Sequence, residues 1–166
     1  FPVCLATQDT DAIVETVKNI APVFGGVNLE DIAAPRCFEI EAKLRKILDI
    51  PVFHDDQHGT AIVSLAALIN SLKLVKKSIE DIRIVINGAG AAGIAIARLL
   101  RKAGTNKIWL CDSKGIVSKD RTGLNPEKQE FAVESSGTLG DALVGADVFL
   151  GVSVPGVVTP EMVRSM

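Results

Sequence analysis

The sequence predicts an α/β fold built on a doubly wound parallel sheet, preceded by a second α/β unit. Three observations predict it. Short apolar runs alternate with segments whose apolar residues recur at helical spacing. A glycine-rich turn, Gly88-Ala89-Gly90-Ala91-Ala92-Gly93, separates one such run from one such segment. Polar and acidic clusters fall where the short runs end, which is where ligand sites form in sheets of this kind.

The elements follow in order. Pro2 to Ala6 reads as a short buried strand, and Ile13, Val14, Val17 and Ile20 repeat at helical spacing behind it. Val23, Phe24, Val27 and Leu29 resume an apolar stretch that ends at the acidic pair Glu30-Asp31. Pro35 opens a second helix through Phe38, Ile40, Leu44, Ile47 and Leu48, since proline suits a first helical turn. Ile50 to Phe53 is the next strand, and the polar cluster His54 to Thr60 precedes an almost wholly apolar helix, Ala61 to Leu72, which is expected to be buried. A charged hinge, Lys76 to Asp81, divides the chain into residues 1–76 and 77–166. Beyond it come a β-branched strand, Ile82 to Ile86, the glycine turn and a helix directing Ile94, Ile96, Ala97 and Leu100 inward. Ile108 to Cys111 forms a second strand ending at Asp112, a hydrophilic stretch runs from Lys114 to Pro126, and Ala146 to Val152 supplies a third strand.

Composition narrows the function classes. With 166 residues, 48% apolar and 23% charged, the chain can bury a core of ordinary size, which argues against disorder. Eighteen basic against twenty acidic residues leave no surplus to neutralise phosphates, so small molecules are the expected partners and nucleic acid is not. Cys4, Cys37 and Cys111 form no CxxC pair, which favours reduced thiols and a cytoplasmic location. The apolar run around Ala61 to Ile69 falls short of the ~18 to 20 residues of a membrane span, and no membrane association is expected.

The glycine turn carries the first functional expectation. Following a strand and opening a helix, it suits a dinucleotide: Gly88 makes the tight turn, Gly90 admits a diphosphate and Gly93 lets helix and strand pack closely. The helix N-terminus adds unpaired N–H groups and partial positive charge. Asp112, 19 positions after Gly93, is placed to accept hydrogen bonds from a ribose 2′-OH. This favours NAD, while Lys114 keeps NADP possible. The second half therefore reads as a Rossmann-type domain.

Four carboxylates carry the second. Glu30-Asp31 and Asp55-Asp56 each follow a short strand, and neighbouring strands would crowd them together. A hard divalent cation, Mg²⁺ or Mn²⁺, is the natural counter-ion. On spacing alone a solvated acidic pair and an Asp56 helix cap serve equally well. His54 and His58 are expected to shape the turn or bond to these carboxylates rather than to bind metal.

The segments Phe24-Gly25-Gly26-Val27-Asn28-Leu29-Glu30-Asp31-Ile32, Phe53-His54-Asp55-Asp56-Gln57-His58-Gly59-Thr60-Ala61 and Gly88 to Gly93, in this order, resemble the malic enzyme family in its shorter bacterial and archaeal form. The resemblance runs from Phe1 through Val152-Ser153-Val154-Pro155-Gly156 to Met166. It implies that Glu30, Asp31 and Asp56 ligate the divalent cation, with Asp55 a supporting catalytic-site residue beside them. It implies that Ala89, Gly90, Ala91 and Ala92 hold the cofactor diphosphate, that Asp112 holds the adenosine ribose, and that Ser153 lies beside the cofactor. Thr60 is a weaker candidate contact. The implied reaction is oxidative decarboxylation of L-malate to pyruvate and CO₂ with reduction of NAD or NADP, in a homodimer or higher oligomer.

The chain departs from the family pattern in having no tyrosine, the family's general acid, and no lysine in the motif of its general base. Both are expected upstream of Phe1, which makes the chain an internal piece: the C-terminal part of a substrate- and metal-binding domain and a Rossmann domain incomplete at its C-terminus. Such a piece would bind ligands without turnover. Two other readings remain open: another two-domain NAD(P) oxidoreductase, which has no use for Glu30, Asp31 and Asp56, and a non-catalytic NAD-sensing module, which leaves the carboxylates unexplained.

Overall fold

The computed structural model describes residues 1–166 and contains two sheets. The smaller one pairs β1 (Val27–Leu29) with β2 (Val52–His54) in parallel, Leu29 lying opposite His54. Helices α1 (Thr10–Ile20) and α2 (Arg36–Ile47) cover it, and Ile13, Val17, Leu29, Ile40 and Leu44 form its core. Asp9 caps α1 by accepting the Ala12 N–H at 2.8 Å. Pro35 precedes α2 at its N-terminus, as its fixed φ suggests. The expected strand at Pro2 to Ala6 is absent. This segment has no neighbouring strand to pair with, and Phe1 to Cys4 lie exposed.

The larger sheet has the order β5-β4-β3-β6, with β3 (Arg83–Asn87), β4 (Lys107–Asp112) and β6 (Val148–Gly151) parallel. The two-residue β5 (Gly115–Ile116) turns back antiparallel on β4. Side chains alternate between the faces of β3, as strand geometry requires. Ile84 and Ile86 join the core beneath α3 (Thr60–Val75) and α4 (Ala91–Lys102), whereas Val85 packs with Ala142 and Leu143 of α6 (Leu139–Leu143). The sheet is thus covered on both faces. Two short helices, α5 (Pro126–Gln129) and α7 (Pro160–Arg164), complete the chain. Because the chain leaves β3 toward β4 on one side and returns to β6 on the other, the order reverses at β3, and the crevice at its carboxyl end is the expected ligand position.

Helix α3 departs from expectation. Ala61, Leu68 and Leu72 are buried against the larger sheet's core, but Val63, Leu74 and Val75 are more than half exposed. The reason is geometric. β6 is an edge strand, and a groove of about 790 Å³ between it and α3, lined by Val63, Leu68, Val75, Phe149 and Leu150, stays open. With the turn before it, the helical stretch Asp55–Val75 is long and apolar enough by composition to cross a membrane. It packs on α4 and sends Ala61, Leu68 and Leu72 into the sheet core.

Candidate functional site

β1 and β2 run side by side in register and end together, so Glu30-Asp31 and Asp55-Asp56 emerge at one corner. Oxygens of Glu30, Asp31 and Asp56 all lie within 4.8 Å of one another. Asp31 adopts a left-handed backbone conformation, φ 55°, which Asp tolerates better than most residues. That conformation aims its N–H at Asp56 Oδ2, 3.0 Å away, tying the two strand ends together. The Asn28 side chain donates to Glu30 Oε2 at 3.0 Å. Three hard oxygen donors suit Mg²⁺ or Mn²⁺, whose octahedral bonds of ~2.1 Å need oxygens roughly 3 to 4 Å apart.

Asp55 and Asp56 sit in a π-helical turn, Asp55–Gly59, that leads into α3 and packs against α4. Turns of this kind are rare and concentrate at functional sites. Asp55 is exposed beside the three-carboxylate set, and its carboxylate lies over Gly59, where a Cβ would meet Oδ1 at 2.3 Å. Thr60 closes the turn by donating its N–H to the carbonyl of Asp55. The histidines bond to neither aspartate. His58 Nε2 lies 2.6 Å from Glu41 Oε1 on α2, and both ring nitrogens of the buried His54 are unpartnered.

The contact of that turn with α4 brings the carboxylate corner to the glycine loop. Gly88, at φ 125°, donates its N–H to Cys111 O at 2.8 Å, and a Cβ there would meet Val152 O at 2.6 Å. At Gly93 a Cβ would stand 1.7 Å from Gly88 O, so only glycine lets α4 approach the turn. Gly90 differs: nothing lies within 4 Å of its missing Cβ. The space above it, facing the backbone of Ala89 to Ala92 at the start of α4, fits a diphosphate. Ser153, just past β6, accepts a 2.8 Å hydrogen bond from the Asn87 side chain and so lines the same crevice.

Asp112 ends β4 at a cleft of about 230 Å³ that also includes Lys114, Arg121 and Lys128. Its Oδ2 accepts from Arg121 at 2.9 Å and from Lys128 at 2.7 Å, and its Oδ1 from the Lys114 N–H at 2.9 Å. Burial pushes this carboxyl up, but the hydrogen bonds from Arg121, Lys128 and Lys114 outweigh it and hold the group well below its usual range. A depressed pKa stabilises the fold fully above the unfolded value, near 3.8, and that contribution is lost progressively as pH falls from there through the lower folded-state value. Asp112→Asn is therefore expected to cost about 2 kcal/mol at pH 7, with the difference from wild type in urea titrations starting to shrink only below about pH 4.

Spacing did not reveal Arg121, Lys128 or Glu41. The first two lie in and beyond the hydrophilic stretch after β4 and reach Asp112 only because β5 folds the chain back. Burial pushes the Cys37 and Cys111 thiols up to about 11, which leaves them protonated and unreactive at neutral pH.

Residues 57–166 match the family model for the malic enzyme NAD binding domain, and residues 5–45 match that for the malic enzyme N-terminal domain. The chain belongs to the malic enzyme family. It is 54% identical over 171 residues to the NAD-dependent malic enzyme of Geobacillus stearothermophilus, covering all of this chain and 36% of that protein. It is 58% identical over 172 residues to the bifunctional malic/malolactic enzyme of Bacillus subtilis, covering all of this chain and 42% of the relative. Among solved structures, the NAD-dependent malic enzyme of Thermotoga maritima superposes with a TM-score of 0.95 at 43% identity, covering this whole chain and 46% of that one. The chain thus spans less than half the length of these malic enzymes. The α/β architecture expected from sequence is the one it shares with them.

Proposed function

We propose that the intact protein catalyses the divalent-metal-dependent oxidative decarboxylation of L-malate to pyruvate and CO₂, with NAD(P) as hydride acceptor. The observation that carries this reading is the convergence of Glu30, Asp31 and Asp56 beside a turn that packs on the helix of the glycine cradle. A divalent cation held there supplies positive charge to substrate oxygens, lowering the hydroxyl pKa and offsetting the negative charge that develops as CO₂ leaves.

The chain's own residues position and orient. Glu30, Asp31 and Asp56 would hold the cation, and the Asp31 N–H fixes which Asp56 oxygen is left free for it. Asp55, outside the ligand set, adds negative charge at the same corner. The backbone of Ala89 to Ala92 and the α4 N-terminus receive the diphosphate, with Gly88 and Gly93 permitting the approach and Ser153 bordering the cofactor. Proton transfer is assigned to no residue of 1–166, which include no tyrosine. We place the boundary between the substrate and metal domain and the cofactor domain at the hinge after Lys76, and read the assembled protein as a cytoplasmic homo-oligomer.

On cofactor choice the ion pairs of Asp112 temper the expected preference for NAD. A free carboxylate would repel a 2′-phosphate, but Arg121 and Lys128 already neutralise this one. NAD is preferred by hydrogen bonding to Asp112, and NADP is tolerated.

The test is an assay of the intact protein with L-malate, Mn²⁺ and either nucleotide. Equimolar pyruvate and reduced cofactor are expected, with activity abolished by a chelator and restored by Mn²⁺ or Mg²⁺. Reduction of cofactor without pyruvate, or undiminished turnover in chelator, would contradict the proposal.

A further inference from the structure

We propose that Glu41 is a positioning residue for the cation corner: from α2 it fixes the π-helical turn carrying Asp55 and Asp56, and thereby sets divalent-cation affinity. The inference rests on the metal reading of Glu30, Asp31 and Asp56 given above. Glu41 is the only acidic side chain that the fold buries. A buried carboxylate costs folding free energy unless its oxygens are well partnered. Both are. Oε2 accepts from Gln57 Nε2 at 3.2 Å, Oε1 lies 2.6 Å from His58 Nε2, and Arg45 stands 3.6 Å away on the next turn of α2.

The two partners in the turn are the residues directly after Asp56. The turn closes on its own backbone where the Thr60 N–H reaches Asp55 O, and the side chains of Gln57 and His58 tie it to α2 through Glu41. Glu41 grips it on the α2 side, and the Asp31 N–H holds Asp56 on the β1 side. Both holds act on the same carboxylate-bearing segment. Without the first, Asp56 is free to turn away from Glu30 and Asp31 even when the fold survives. Core packing alone does not account for a charged group here, since α2 already packs through Ile40 and Leu44, both fully buried.

The test compares Mn²⁺ affinity, read from the electron paramagnetic resonance signal of free Mn²⁺, with metal-free thermal stability in the intact protein. Glu41→Met removes both acceptors at similar volume and is expected to weaken Mn²⁺ binding by about 10-fold or more, as loss of a supporting partner behind a metal ligand does. Glu41→Gln keeps one acceptor and is expected to fall between wild type and Glu41→Met. Leu44→Ala on the same helix lowers the Tm through lost packing but should leave Mn²⁺ affinity within about 2-fold. Mn²⁺ binding by Glu41→Met at wild-type strength overturns the inference, as does equal weakening in Leu44→Ala. If Glu41→Met does not fold, unchanged binding in Glu41→Gln overturns it instead. Wild type that fails to bind Mn²⁺ overturns the metal reading as well, which separates the two failures.

Discussion

Asp56→Ala is expected to lower kcat/KM for malate by about 10³-fold, corresponding to the several kcal/mol that a bound cation contributes to stabilising developing charge. The effect exceeds the loss of one ligand. Asp56 Oδ2 also accepts the Asp31 N–H, so removing the carboxylate frees Asp31 from the left-handed conformation that directs it into the corner. Two of the three carboxylates proposed to hold the cation are therefore disturbed by one change. Thermal shift provides the check independent of turnover: Mn²⁺ at about 100 times its Kd should stabilise wild type by roughly 2.7 kcal/mol and Asp56→Ala by almost nothing. Because Asp56 is only half-buried and lies at a strand end, the metal-free variant should keep a Tm close to wild type.

A paired substitution in the glycine loop should separate folding from cofactor binding. Gly93→Ala places a methyl 1.7 Å from the Gly88 carbonyl, a backbone atom that cannot rotate aside. Either α4 lifts from the sheet or the turn distorts. Overpacking of this kind costs about 3 kcal/mol, a large share of a typical domain's stability, so a lower Tm and a poor soluble yield are expected. Gly90→Ala meets no atom of the protein within 4 Å, and its φ of −96° suits an L-residue. That variant should fold normally yet bind NAD about 10-fold or more weakly, because the methyl fills the space left for the diphosphate. Calorimetric titration with NAD and a thermal melt on both proteins decide the matter. Normal NAD affinity in Gly90→Ala would remove the cradle from the account.

How far the sequence discloses this arrangement depends on how local each feature is. The glycine turn is fully local: strand, turn and helix occur within twenty residues, and the roles of Gly88 and Gly93 follow from spacing. The carboxylate corner is half legible. The pairs Glu30-Asp31 and Asp55-Asp56 stand out as strand-terminal acids, but that β1 and β2 are neighbours in register is a tertiary fact. Glu41 was invisible because nothing marks one glutamate in a charged helix as buried, and its partners lie 16 and 17 residues away on another element. The ion pairs of Asp112 escaped for the same reason, with Arg121 and Lys128 brought back by a two-residue strand too short to read as one. The two misreadings are equally physical. Pro2 to Ala6 has strand-like residues but no ladder to join, and α3 has the composition of a buried helix while the β6 edge leaves one of its faces uncovered.

We propose that a divalent cation binds where β1 and β2 end, beside the glycine turn. It is tested most directly by the anomalous scattering of Mn²⁺ in crystals of the intact protein grown or soaked with the metal. One strong peak is expected within bonding distance of carboxylate oxygens from Glu30, Asp31 and Asp56, with Asp55 outside the coordination sphere. A peak ligated by His54 or His58, or no peak at this corner in protein that turns over malate with Mn²⁺, would contradict it.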